Sequence, residues 1–339
     1  MTNLAPEIYH EHWLKTIVPS LAFDPARQFG AWRTEIDARL HELMGTLPEP
    51  GRLDVRVEYD READEFREIR FVFTSEPYVD VPCHLLLPLE GQAPFPVVIC
   101  LQGHSTGMHI SLGRPLYPGD EESIAGDRDF ARQAVRQGYA ALALEQRCFG
   151  ERKDARPPEV HTFTHGCRHA SMVALLLGRT MIGERVWDVS RAIDALAQFP
   201  QVDTARIGCM GNSGGGTITY FAACLEPRIT VAMPSCYVCT FRDSIGRIDH
   251  CEDNYLPGAL RYFEMGDLAG LIAPRPLIVV AGQEDPIFPI AGVEETYATI
   301  QAIYQAAGAA DHCRLVVGGG GHRFYAELAW PAFRELSGW

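Results

Sequence analysis

Apolar and polar positions change their rhythm along this chain. Between Ala26 and Met44, Phe29, Trp32, Ile36, Leu40 and Leu43 recur at close to the helical period. Asp24-Pro25 marks a helix start, and PEPG at 48–51 ends it. The segments 53–59, 67–75 and 79–88 alternate in the manner of antiparallel strands joined by short polar turns. From Pro96 onward the strand-like segments become continuous apolar runs: 95–103, 139–147, 205–213, 229–235, 275–285 and 312–320. Strands apolar on both faces belong in a parallel sheet covered on both sides. Helical patterns over 127–137, 183–199, 215–225, 290–307 and 323–336 lie between them.

Strand alternating with helix predicts an α/β protein with a doubly wound sheet. We expect about eight strands, mostly parallel, with helices on both faces and an antiparallel edge. Residues 1–50 are expected as a helical extension packed on a main domain spanning 51–339. Two stretches, 104–126 and 148–170, fit poorly as scaffold. Both follow the C-terminal ends of predicted strands, where open α/β sheets place their ligand sites. The run DEES at 120–123 reads as a solvated loop.

Composition narrows the classes without changing this picture. Of 339 residues, 47% are apolar and 22% charged, the balance of an ordinary globular protein rather than a disordered one. The net charge of −14 disfavours nucleic acid and anionic membranes as partners, because these demand clustered Lys and Arg. Several of the ten cysteines, such as Cys100 and Cys209, sit inside apolar runs and do not suggest a disulfide scaffold. The start MTNLAPEIYHEHW lacks the pattern of a signal peptide, and no apolar run is long enough to span a membrane. A cytoplasmic protein is the expectation. The sequence leaves oligomeric state open.

The strongest chemical signal is Gly211-Asn212-Ser213-Gly214-Gly215, a G-x-S-x-G between the strand RIGCM and the helical stretch TITYFAACL. A serine held on a tight strand-to-helix turn needs small neighbours at −2 and +2, and the turn aims the next helix N-terminus at a developing oxyanion. Neither the P-loop nor the dinucleotide glycine spacing is present.

A serine hydroxyl needs a base, and the base an orienting carboxylate, in the chain order Ser, Asp or Glu, His. His322, in GGGGHRF after the last strand, is the candidate base. Asp285, at the end of RPLIVVAGQED, is the candidate acid, with Glu284 as its substitute. The oxyanion donors are expected to be the backbone N–H of Gly214 and of His104, which follows Gln102-Gly103.

Together these residues resemble the α/β-hydrolase superfamily, and within it the dienelactone-hydrolase-like and acetyl-xylan-esterase-like bacterial hydrolases. The carriers are LQGHS (101–105), EQRCFGER (145–152), GRTMIGERVWDVSRAIDAL (178–196), GCMGNSGGG (208–216), MGDLAGLIAPRPLIVVAGQEDPIFP (265–289) and GGGGHRF (318–324). Ser213, Asp285 and His322 fall on the triad positions. The resemblance implies hydrolysis of a small ester through an acyl-enzyme, with no metal or organic cofactor. An acetylated carbohydrate is one candidate substrate. True dienelactone hydrolases carry Cys where Ser213 stands, and the sequence has neither the RGQG-type nor the G-x-S-Q-G motif of the xylan deacetylases.

Gln102, Arg147 and Trp187 are named as candidate substrate contacts. Solvated salt bridges for Arg147, Glu151, Glu184, Arg185 and Asp188, and a core position for Trp187, are the competing readings. Cys236 and Cys239 form a C-x-x-C near His250-Cys251, read as core and pocket-wall thiols rather than a zinc or redox pair. His161, His165 and His169 recur every fourth residue but lie in a stretch broken by Pro157-Pro158 and Gly166, so a loop is expected. A prolyl-oligopeptidase-like peptidase and a non-catalytic hydrolase-fold binding protein are the alternative functions.

Overall fold

The computed structural model describes residues 4–63, 65–153 and 166–339. Its strands are β1 (Val55–Glu62), β2 (Phe66–Glu76), β3 (Val79–Pro88), β4 (Phe95–Leu101), β5 (Ala140–Leu144), β6 (Val202–Asn212), β7 (Ile229–Ser235), β8 (Leu277–Gly282) and β9 (Cys313–Gly318). They form one sheet in the order β1-β2-β3-β5-β4-β6-β7-β8-β9. The pairs β1/β2, β2/β3 and β3/β5 are antiparallel, and every pair from β5/β4 to β8/β9 is parallel.

The sheet therefore has nine strands among the described residues, against the eight expected. All nine match strand-like segments of the sequence, the edge strand β1 included, which falls on the expected 53–59. In β1, Arg56, Glu58, Asp60 and Glu62 are exposed, and Asp60 and Glu58 pair with Arg67 and Arg70 of β2. Charges of this kind block further pairing at a sheet edge.

Alternation along β4 divides the core. Val97, Ile99 and Leu101 point to one face, Val98 and Cys100 to the other. The first face is covered by α2 (Phe29–Met44), α6 (Met181–Leu196), α7 (Gly214–Leu225) and α9 (Ile290–Ala306). The second is covered by α4 (Phe130–Arg136) and α10 (Ala326–Ser337). Trp32, Ile36, Leu40 and Met44 of α2 are buried in the same apolar cluster as β2 and β4. By contrast α1 (Pro6–Thr16) buries none of its side chains.

The stretch 104–126 contains a 3-10 turn at Met108–Ile110 and the short α3 (Asp120–Ser123). Beyond the second stretch, α5 (Arg168–Leu176) begins earlier than the expected loop allows, and His169 is exposed on it. His161 and His165 lie outside the described residues. The short α8 (Ala269–Ile272) precedes β8. No helix among the described residues is long and apolar enough to cross a membrane.

The chain leaves β4 for β5 on one side and reaches β6 on the other. The crevice above the C-terminal ends of β4 and β6 is thus the topological switch point. Leu101 pairs with Gly211 there, so the residues that follow, Gly103 and Ser213, end side by side.

Candidate active site

Ser213 stands between β6 and α7 at φ +57° and ψ −123°, a conformation that a residue with a Cβ rarely adopts. The flanking glycines are required by contact. A Cβ on Gly211 would lie 2.6 Å from the Leu101 carbonyl oxygen, and one on Gly215 would overlap that same oxygen. The turn is fixed by bonds from Ser213 N–H to Ser235 O and from Thr217 N–H to Ser213 O, both 2.9 Å. Asn212 is buried and its Oδ1 accepts from Ser235 Oγ at 2.8 Å.

The loop after β4 closes on this turn. A Cβ on Gly103 would lie 2.5 Å from Asn212 O and 3.4 Å from Gly214 N, so only glycine lets the two backbones approach. A Cβ on Gly214 would lie 3.7 Å from His104 N. The two backbone N–H groups named from sequence are thus neighbours beside Ser213.

Asp285 follows β8 and is buried. Its Oδ2 accepts from His322 Nδ1 at 2.8 Å, while Oδ1 accepts from Ile287 N–H at 2.9 Å and Phe288 N–H at 3.1 Å. Burial alone would raise this carboxyl, but the His322 bond and charge and the two peptide donors hold it below the ordinary carboxylate value. Glu284 is exposed and points away from this role.

His322 is brought to Asp285 by ladder-like bonds, Gln283 N–H to Gly318 O and Glu284 N–H to Gly320 O, both 2.8 Å. The glycines before it serve by lacking side chains: a Cβ on Gly318 would overlap the Tyr325 ring. None of Gly318–Gly321 has φ in the left-handed region. The His322 ring stacks on Phe288 at 5.8 Å between centroids and 21° between planes. Ser213 and His322 line one cavity of about 300 Å³, with His104, Arg128, His250 and Cys251 on its wall. A larger apolar cavity of about 470 Å³ lies under α1, and neither Ser213 nor His322 lines it.

The three candidate substrate contacts are placed elsewhere, and the structure corrects them. Gln102 is buried, with Nε2 donating to Ser111 Oγ at 2.6 Å and to Arg128 O at 2.7 Å, so it ties loops together. Arg147, its side chain 11% exposed, is enclosed by Glu76 at 2.7 Å, Glu184 at 2.9 Å and Asp188 at 2.8 Å. These three carboxylates take four of its five N–H donors and neutralise its charge. Trp187 is buried and donates to Ser75 O at 3.0 Å, a core position. Glu151 pairs outward with Arg70 at 2.7 Å.

Sequence reasoning missed the group behind His104. Asp253 Oδ2 accepts from His104 Nε2 at 3.0 Å and from the buried Arg185 at 2.7 Å. Burial would lower His104, but the Asp253 bond, with help from Cys167, raises it to about 9. His104, Cys167, Cys251 and Asp253 offer donor atoms within 4.8 Å of one another. Arg185 already occupies Asp253 and comes within 3.7 Å of Cys167 Sγ, so a fixed positive charge stands where a cation would bind. Cys236, within reach of Asp285 and His322, and Cys239 are buried free thiols.

A family model matches residues 7–316. The chain belongs to the Abhydrolase family. This abhydrolase is 27% identical over 317 residues to the Bacillus subtilis (strain 168) protein named "Putative hydrolase YtaP", covering 91% of this chain and 99% of that one. Among solved structures it is similar to one titled a "putative acetyl xylan esterase" from Bacteroides fragilis, at TM-score 0.82 and 18% identity over 99% of this chain and 96% of the other. It is also similar to a glucuronoyl esterase from Solibacter usitatus, at TM-score 0.69 and 18% identity over 95% and 97% of the two chains. At these identities the likeness is one of fold.

Proposed function

We propose that this abhydrolase is a serine hydrolase that cleaves small carboxylic esters through an acyl-enzyme. The carrying observation is the Asp285–His322 bond at 2.8 Å beside a cavity that His322 shares with the strained Ser213. In this reading Ser213 Oγ attacks the ester carbonyl carbon while its proton passes to His322 Nε2. Asp285 accepts from His322 Nδ1–H, fixes the ring and stabilises its charged form. The Gly214 and His104 N–H groups receive the oxyanion. The alkoxide leaves with the proton from His322. Water then attacks the acyl carbonyl with His322 as base, releasing the acid and restoring Ser213.

Residues 51–339 form the catalytic domain in this reading, with 1–50 as a helical extension. The cytoplasm is the proposed compartment, supported by ten free thiols. The named activities of the two similar structures make acetylated and other carbohydrate esters the first panel to assay.

Intact-mass spectrometry after fluorophosphonate treatment tests the reading, with p-nitrophenyl acetate turnover in parallel. We expect a single adduct on the wild type, and loss of both adduct and turnover in Ser213→Ala. A folded wild type with neither would favour a binding protein, and cleavage of short peptides in preference to esters would favour the peptidase.

A further inference from the structure

The cavity beside Ser213 contains one charge that the proposed chemistry does not use. Arg128 lines it, and among the described residues its guanidinium makes no hydrogen bond, ion pair or ring contact. Its neighbours in the fold are satisfied. Arg114 pairs with Glu68 at 2.7 Å, Arg323 with Asp127 at 2.7 Å, and Arg185 with Asp253 at 2.7 Å. Burial, and then the like charge of Arg323, disfavour the charged form of Arg128, with the thiol of Cys236 opposing them. The one carboxylate on the cavity wall, Asp249, is exposed at its rim and makes no ion pair with Arg128. The remaining titratable groups there are His104, His250, Cys251 and His322, and His104 shares the Asp253 carboxylate with Arg185. The cavity wall therefore offers more positive than negative charge to a ligand.

The backbone of Arg128 is also held. Gln102 Nε2 bonds its carbonyl at 2.7 Å, and Gln102 directly precedes Gly103 and His104. The segment that presents the His104 N–H thus fixes Arg128 relative to it. Arg128 is half-buried on the cavity wall, and the planar fork of a guanidinium matches a carboxylate.

We propose that Arg128 is an anion subsite that binds a carboxylate of the substrate, so that the preferred esters carry a free carboxylate near the scissile bond. The inference rests on the serine esterase reading and narrows its substrate class. The carboxylate can lie on the acyl side, as in a half-ester of a dicarboxylic acid, or on the alcohol side, as in an acylated hydroxy acid.

Two matched pairs distinguish these sources: monomethyl against dimethyl glutarate for the acyl side, and O-acetyl-lactate against isopropyl acetate for the alcohol side. Acid release is followed at constant pH for wild type, Arg128→Gln and Arg128→Lys. We expect the wild type to prefer the anionic member of one pair. Arg128→Gln should reduce that preference in kcat/KM by about ten- to a hundredfold, mainly through KM, and Arg128→Lys by less. A wild type that hydrolyses the neutral esters without favouring either anionic partner overturns the subsite and leaves the esterase standing. An equal loss on both members of a pair also overturns it, because the guanidinium would then act at the reacting carbonyl. If the wild type hydrolyses neither pair, the ester reading has failed separately. Calorimetric titration with glutarate and with lactate then decides the subsite: binding lost in Arg128→Gln supports it, and no binding to wild type overturns it.

Discussion

Arg185 Nη1 donates to Asp253 Oδ2 across 2.7 Å, and neither side chain reaches solvent. The same oxygen accepts from His104 Nε2, so this ion pair holds the residue whose backbone N–H lies beside Gly214. Removing Arg185 leaves the buried Asp253 with His104 and Asn254 as its donors, and removing Asp253 leaves the buried guanidinium without a carboxylate. Arg185→Leu is expected to lower stability by about 3–5 kcal/mol, while replacing Arg185 and Asp253 together by apolar residues recovers part of that loss. Urea unfolding of the singles and the double measures the coupling. Strictly additive losses would mean the two side chains do not stabilise one another.

Asp285 is expected to act through the orientation and charge of His322. Asp285→Asn keeps the shape but cannot stabilise an imidazolium, and its amide favours the wrong ring tautomer. We expect kcat to fall on the order of a thousand- to ten-thousandfold with KM changed little. Steady-state kinetics on p-nitrophenyl acetate check this. A variant within tenfold of wild type would remove Asp285 from the mechanism and return attention to Glu284.

The turn at Ser213 leaves no space for a methyl group at Gly215, where a Cβ overlaps the Leu101 carbonyl oxygen. That oxygen is backbone at the end of β4, so the overlap is relieved only by parting the two strand ends. Gly215→Ala is expected to cost about 1–3 kcal/mol and to reduce turnover more than stability, since Ser213 and the His104 loop separate. Thermal melts beside ester kinetics give both numbers. Full activity in this variant would show that the strand ends part without consequence.

Local signals are legible in the sequence for a physical reason. The glycines at 211 and 215 and the apolar runs of β4 to β9 are dictated by neighbours close in the chain or by burial on both faces. The acid and base could be proposed because chain order and strand ends constrain them. The polar network was not legible. Arg147 gathers Glu76 from β2 and Glu184 and Asp188 from α6, and only their assembly shows that its charge is already used. The reverse holds for Arg128, one of many arginines in the sequence, whose lack of a partner exists only in three dimensions. The far end of β1 was not legible beyond 59, because Asp60, Arg61 and Glu62 are placed by their register with β2 rather than by an apolar pattern of their own.

Glu145 follows β5 and is buried beneath the loop that begins at Gly107. Its carboxylate accepts from Met108 N–H at 3.1 Å and from Glu151 N–H at 3.3 Å. Burial raises it to about 7 despite those donors. The folded protein therefore keeps a proton here that the unfolded chain releases near 4.5. Between these two values the native state binds more protons, so stability falls as pH rises through that window and levels off above about 7. The loss is on the order of 3 kcal/mol if the group acts alone. Glu145→Gln stays neutral and keeps one acceptor oxygen for the loop. Its stability relative to wild type should therefore rise from about pH 5 to about pH 7 and level off above that. Urea titrations of both proteins at several pH values isolate this group, since every other titration is common to the two. Parallel curves would mean that Glu145 is already ionised in the fold and that the peptide donors outweigh its burial.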